Sequence, residues 1–195
     1  MTQLDSTYWN TRYLTDDFGW DIGSVSTPLK AYFDQLQDKH WKILVPGAGN
    51  AYEAAYLFEQ GFTNVHVLDF AEEPLKLFAE KHPTFPQTNL HQQNFFDHKE
   101  TYDLVIEQTF FCALDPSLRQ AYAKHMSTLV KPGGKLAGLL FDNPMNVDRP
   151  PFGGNRGEYR AYFEPYFTFR HFEACYNSIK PRDGKELFMV LERKP

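Results

Sequence analysis

Two cysteines in 195 residues, Cys112 and Cys175, are too few and too far apart for a disulfide framework. Neither lies in a CxxC pair or a histidine-rich stretch, so a structural zinc site is not indicated, no metal is expected, and both are read as buried thiols. No stretch reaches the roughly 18 apolar residues that a bilayer span requires. The first twenty residues are polar and acidic rather than signal-like, so the expected location is the cytoplasm, without a membrane partner. Long Lys/Arg runs are also missing and the net charge is −5, which argues against nucleic acid as the main partner. There is no internal repeat and no low-complexity tract.

One further absence is local. The stretch LVPGAGNAYEAAYL, beginning at Leu44, ends a strand in two glycines, Gly47 and Gly49, and runs into a helix. Glycines there let a backbone approach a ligand at a helix N-terminus, as in dinucleotide-binding folds. The third glycine of that fingerprint is replaced by Tyr52. Either the motif is broken or its ligand carries no pyrophosphate.

What is present is a core-forming composition, 42% hydrophobic and 16% aromatic, enough for a single domain over residues 1–195. From about residue 40, short β-like runs alternate with helical ones. KILVP, VHVLD, LHQQNF, YDLVIEQ and KLAGLLF read as strands. NAYEAAYLFEQ, closed by Gly61, AEEPLKLFAEK, and DPSLRQAYAKHMSTLV, with Asp115 as cap and Pro116 at its first position, read as helices. Such alternation implies parallel pairing with right-handed crossovers, an α/β doubly wound sheet. KPGG is expected to turn the chain into the fifth strand. After a Pro/Gly-rich link, FTFRHFEACY and ELFMVLER read as two more strands, joined by a short turn around Arg182, Asp183 and Gly184. Together these predict a seven-stranded, mostly parallel Rossmann-like sheet with a C-terminal antiparallel hairpin. In such a sheet the ligand lies beyond the carboxyl ends of the strands, with Gly47 to Asn50 on the floor and Asp69 placed to accept hydrogen bonds from ribose hydroxyls.

A glycine turn without its third glycine, a KPGGKL turn and a terminal hairpin together resemble the class I S-adenosylmethionine-dependent methyltransferases, whose ligand has a sulfonium in place of a pyrophosphate. YDLVIEQTFFCALDPSLRQAYAKHMSTLVKPGGKL resembles the thiopurine S-methyltransferase superfamily, in particular its thiol and halide methyltransferase branch. YWNTRYLTDDFGWDIGSVSTPL, RPPF and IKPRDGKELFMVLERK extend the likeness over nearly the whole chain. The resemblance implies a helical N-terminal lid over residues 1–40, carrying Trp9, Tyr13 and Trp20 over the cofactor, and a Rossmann-like core over 41–195. It implies a backbone contact from Gly47 to the methionine part, ribose on Asp69, adenine at Asn94 and Phe95, and Gln108 beside the methyl donor. Tyr13 stands where tryptophan is frequent and Asn94 where Asp is common, and an Asn carbonyl can still accept the adenine amino hydrogen.

The implied activity is methyl transfer to a small-molecule nucleophile, a thiol or a sulfide- or halide-like anion, leaving S-adenosylhomocysteine. The acceptor pocket is expected between the lid, the Phe110-Phe111 turn and residues 150–157. Its apolar walls would be Phe18, Phe110, Phe111, Phe152 and Tyr159, with cations at Arg149, Arg156 and Arg160. Asp21 and Asp142 are the conceivable bases for a hydroxyl substrate, and no catalytic residue is assigned. Nothing in the surface pattern demands a partner subunit, so a monomer is expected. A nicotinamide-dependent oxidoreductase and a non-catalytic cofactor-binding module stand as alternatives. The polar run at residues 1–8 is expected to be disordered at its extreme end.

Overall fold

A computed structural model describes residues 4–195, and the first three residues of the polar N-terminal run lie outside it. The rest of that run enters a helix, α1 (Ser6–Leu14), because Asp5 Oδ1 accepts a hydrogen bond from Tyr8 N at 2.9 Å. A second helix, α2 (Thr27–Phe33), has proline in its first turn and buries Leu29 and Phe33.

The central strands β1 (Ile43–Pro46) and β2 (Val65–Asp69) are buried at every position, as expected where helices cover both faces of a parallel sheet. The remaining strands are β3 (Leu90–Gln92), β4 (Tyr102–Gln108), β5 (Val130–Phe141), β6 (Phe167–Ala174) and β7 (Glu186–Arg193). They form one sheet in the order β3-β2-β1-β4-β5-β7-β6, in which β7 alone runs antiparallel to its neighbours. The order reverses between β1 and β4, which opens a crevice at their carboxyl ends.

Alternation along β1 divides the core. Leu44 packs on one face with Val105, Tyr122, Met126 and Phe163, and Ile43 and Val45 pack on the other with Phe33, Leu57, Val67 and Phe78. The first face is covered by α5 (Arg119–Leu129) and α6 (Arg156–Phe163). The second is covered by α2, α3 (Tyr52–Glu59) and α4 (Glu72–Lys81). Each fully buried aliphatic or aromatic side chain contributes about 1.5–3 kcal/mol, so the two layers fix the strand ends that hold the crevice.

Four local expectations are corrected. LHQQNF pairs only over Leu90–Gln92, and Asn94 then caps a 3₁₀ turn with its side chain. Asp115 and Pro116 start a 3₁₀ turn that becomes helical at Arg119. KPGG is not a free turn: it is looped out within β5, between the pairs Tyr102↔Val130 and Leu104↔Lys135. The last two strands are antiparallel neighbours, but residues 175–185 join them rather than a short turn.

Candidate active site

The glycine turn is built from three left-handed residues, Gly47 (φ 56°), Gly49 (φ 52°) and Ala51 (φ 52°). A side chain at Gly47 would collide with the ring of Phe110, and one at Gly49 with the Tyr13 hydroxyl. Both glycines are therefore required by conformation and by close approach. Tyr52 has a different task. Its hydroxyl donates to Asp21 Oδ2 at 3.2 Å, and Asn50 Nδ2 donates to the same oxygen. The residue that breaks the dinucleotide fingerprint thus fastens the N-terminal segment to the turn.

Asp69 ends β2 with 8% of its surface exposed. Its Oδ2 accepts from Gly49 N at 3.0 Å and its Oδ1 from Ala71 N at 2.9 Å. Burial holds its carboxyl above the usual range, and the backbone donors pull it back. Each carboxylate oxygen keeps acceptor capacity for a further donor.

The N-terminal aromatics gather above this floor. Trp9 meets Trp20 edge-on at 5.5 Å between ring centroids, and Tyr13 stacks on Phe18 at the same separation. Tyr13 is buried, and that burial, with Asp69 and Asp21 nearby, raises its hydroxyl pKa and keeps it neutral. The segment is held at four points: Asn10 Oδ1 accepts from Glu73 N (3.0 Å), Asp21 joins Asn50 and Tyr52, Glu53 Oε1 accepts from Ser26 N (3.0 Å), and Arg182 Nη2 donates to the Trp20 carbonyl (2.8 Å).

The end of β4 supplies the third wall. Gln108 leads into Thr109, left-handed at φ 57°, and then Phe110. Gln108 Oε1 is buried with no hydrogen-bond partner, as is Asn143 Oδ1. Behind them Phe95 stacks on Tyr122 and meets Phe110 edge-on.

These surfaces enclose a cleft of about 780 Å³. Trp9, Tyr13, Trp20, Gly47, Asp69, Asn94, Phe95, Gln108 and Phe110 all line it. Seven expected pocket residues do not. Phe18 packs behind Tyr13, Phe111 lies in the core against Tyr122 and Tyr159, Phe152 is buried behind the cleft, and Arg156 turns outward to Glu173 at 2.9 Å. Tyr159 is also internal, its hydroxyl donating to Phe141 O (2.7 Å), and Arg149 and Arg160 lie outside the cleft. Asp142 accepts from Arg156 N at the start of α6 (3.0 Å) and does not line the cleft, although Phe141 and Asn143 on either side of it do. Asp21 is a cleft residue, but its oxygens accept from Gly23 N, Asn50 and Tyr52.

The cations that face the cleft are Arg12, Arg182 and Lys185. In the sequence Arg182 reads as a hairpin-turn residue, and the longer connection of residues 175–185 brings it and Lys185 to the cleft. Cys112 also lines the cleft, though burial pushes its thiol up to about 12, far from a reactive thiolate. Among the described residues, no three His, Cys, Asp or Glu side chains are arranged to hold a metal ion, and no helix is long and apolar enough to cross a membrane.

Residues 4–193 match the family model described as thiopurine S-methyltransferase. The chain belongs to that family. It is 28% identical over 194 residues to a probable thiol methyltransferase 2 of Arabidopsis thaliana, covering 95% of this chain and 84% of that one. It is 31% identical over 175 residues to thiocyanate methyltransferase 1 of Brassica oleracea, covering 86% and 76%. Among solved structures it resembles a Burkholderia thailandensis 1,6-didemethyltoxoflavin-N1-methyltransferase containing that compound and S-adenosylhomocysteine, with TM-score 0.80 at 17% identity, over 98% of this chain and 88% of that one. The fold is the class I methyltransferase fold, and the protein is an S-adenosylmethionine-dependent methyltransferase of the thiopurine S-methyltransferase family. Family membership sets aside the nicotinamide alternative.

Proposed function

We propose that this family member methylates a small soft nucleophile, a thiol or a sulfide-, thiocyanate- or halide-like anion, acting as a single-domain monomer. The observation that carries the proposal is the cleft wall around Gln108, where Phe95, Phe110, Trp20 and Tyr13 are aromatic, while of the two candidate bases Asp21 is already engaged by donors and Asp142 does not line the cleft. A wall of this kind suits a nucleophile that needs no proton removed. An ordinary thiol, with pKa about 8.5, ionises enough near neutrality to react, and a halide needs no base at all.

The residues present fit S-adenosylmethionine. Asp69 offers carboxylate oxygens to ribose hydroxyls at the carboxyl end of β2, and the glycine turn exposes backbone to the methionine part. Asn94 and Phe95 face the adenine side. Gln108, whose Oε1 is buried without a hydrogen-bond partner, lines the cleft at the end of β4, where the family resemblance puts the transferred methyl. When bound, the cofactor supplies a methyl group already activated by its sulfonium charge. What remains for the chain is to align the nucleophile, exclude water through Trp9, Tyr13 and Trp20, and present uncharged walls to a charge that disperses during transfer. Alignment alone is worth on the order of 7 kcal/mol. Arg12 and Lys185, rather than Arg149, Arg156 or Arg160, are the cleft-facing cations nearest to hand for an anionic acceptor, since Arg182 is already held by Glu186 and the Trp20 carbonyl.

The test is calorimetric titration with S-adenosylmethionine and S-adenosylhomocysteine, followed by product detection with small thiols, iodide, thiocyanate and phenols. Binding with turnover of thiols or soft anions is expected. Turnover confined to phenols would overturn the soft-nucleophile reading, and binding without any turnover would favour a non-catalytic module.

A further inference from the structure

Glu107 is a charged group that the proposed chemistry does not use, and it is wholly buried. It is the penultimate residue of β4, beside Gln108, yet it does not line the cleft. Among the described residues no cation pairs with it. Its Oε1 accepts from both Phe110 N and Phe111 N, each at 2.9 Å, and its Oε2 accepts from the Tyr122 hydroxyl. Room for it comes from Gly138, its partner across β4 and β5, where a side chain would collide with the Glu107 backbone and Cβ.

An unpaired buried carboxylate is costly, and hydrogen bonds from fixed donors are what can offset that cost. Here the donors are the two amides of a turn that follows a left-handed threonine, a backbone that would not choose this path unaided. The same turn sets Phe110 against Gly47 and starts at Gln108. Burial raises the Glu107 carboxyl to about 7, and Tyr122 and the two amides act against that rise.

We infer that Glu107, braced by Tyr122, is a positioning residue: it holds the Gln108–Phe110 corner in the geometry that methyl transfer requires while touching neither substrate nor cofactor. The inference rests on the reading of this cleft as the transfer site.

Glu107→Gln keeps an acceptor oxygen for the two amides and can donate to Tyr122, whereas Glu107→Ala leaves all three donors without a partner. Tyr122→Phe removes one hydroxyl and nothing else. The experiment compares the three variants with the native chain by steady-state turnover of a thiol and by amide hydrogen exchange at Phe110 and Phe111. For Glu107→Ala we expect kcat to fall at least tenfold, with the Kd for S-adenosylhomocysteine within about threefold, and both amides to lose protection. Glu107→Gln should restore most of both. If Glu107→Ala does not fold, Tyr122→Phe decides, with faster exchange and a severalfold loss in kcat expected in a protein that still folds, its melting temperature lowered by a few degrees. Native exchange at both amides as fast as in an open loop would overturn the inference. So would a folded Glu107→Ala, or failing that a Tyr122→Phe, with native kcat and protection. If the native chain turns over no nucleophile, the transfer-site reading fails. Protection lost in Glu107→Ala and regained in Glu107→Gln would then still establish the positioning role.

Discussion

Asp69 carries two loads at once. The sequence placed it after the glycine turn for a ribose, and the structure adds that it already braces that turn through Gly49 and Ala71. Asp69→Ala is therefore expected to weaken cofactor binding by about 1.5–3 kcal/mol, the range for hydrogen bonds to a charged group. It is also expected to lower the melting temperature, because two backbone donors lose their acceptor. Calorimetry and a thermal melt on the same sample check both, and unchanged affinity would refute the ribose role. Gly47 shows a comparable doubling. The sequence argued for open space toward a ligand, while the structure puts the Phe110 ring there and the backbone at positive φ. A single residue's chemistry was readable because its type and spacing are local. Its second partner was not, since Phe110 lies 63 positions further along.

At the level of elements, long periodic runs were legible and short connections were not. β1, β2, β4, α3 and α4 follow directly from hydrophobic period and terminators. The helix α6 was missed because it is only eight residues long and sits beyond a Pro/Gly-rich link. Its signal was present as Asn155 followed three residues later by Glu158, and the Asn155 side chain does cap the helix by accepting from Glu158 N. The helix turns Arg156 outward where an extended link would leave it near the cleft, and Phe152 is drawn inward separately, its N–H donating to Cys112 O at 2.7 Å. A lid role for the N-terminal segment was expected only by resemblance, and the segment's fastening on Tyr52 and Asn50 belongs to tertiary structure. Asp21→Ala removes the common acceptor of that fastening. Limited proteolysis is expected to cut residues 15–25 faster in this variant than in the native chain, and S-adenosylhomocysteine is expected to slow the cut in both. Equal cutting rates would show that the latch carries no weight.

Over the whole molecule, the edge of the sheet away from the cleft holds a second titratable assembly. His66 and His91 share a hydrogen bond at 2.9 Å, and His98 bonds Tyr102 at 2.6 Å and Gln93, with the Lys42–Glu100 ion pair alongside. Burial lowers His66 and His98 to about 4 and lowers His91 as well. A folded-state pKa below the unfolded value near 6.5 gives stability that is complete above pH 6.5 and lost as pH falls toward 4. Glu107, raised to about 7, acts in the opposite sense, adding stability as pH falls from 7 toward 4.5. The two effects are separated by difference. The gap in unfolding free energy between the native chain and His98→Asn should narrow from pH 7.5 to pH 5, and chemical denaturation at both values measures it. A constant gap would mean that His98 titrates normally in the folded protein. None of this assembly was legible in the sequence, where the histidines stand 25 and 7 positions apart on separate strands and a loop.

The chain has three tryptophans, and two of them, Trp9 and Trp20, meet edge-on at the mouth of the cleft, with the Arg12 guanidinium 4.9 Å from the Trp20 ring. The third, Trp41, lies outside the cleft, packed beneath Lys135. Two of the three indoles therefore lie where a ligand would dock. Occupancy should be visible as a change in intrinsic fluorescence without any label, with Trp41 as a steady background and Trp20→Phe removing the larger part of the response.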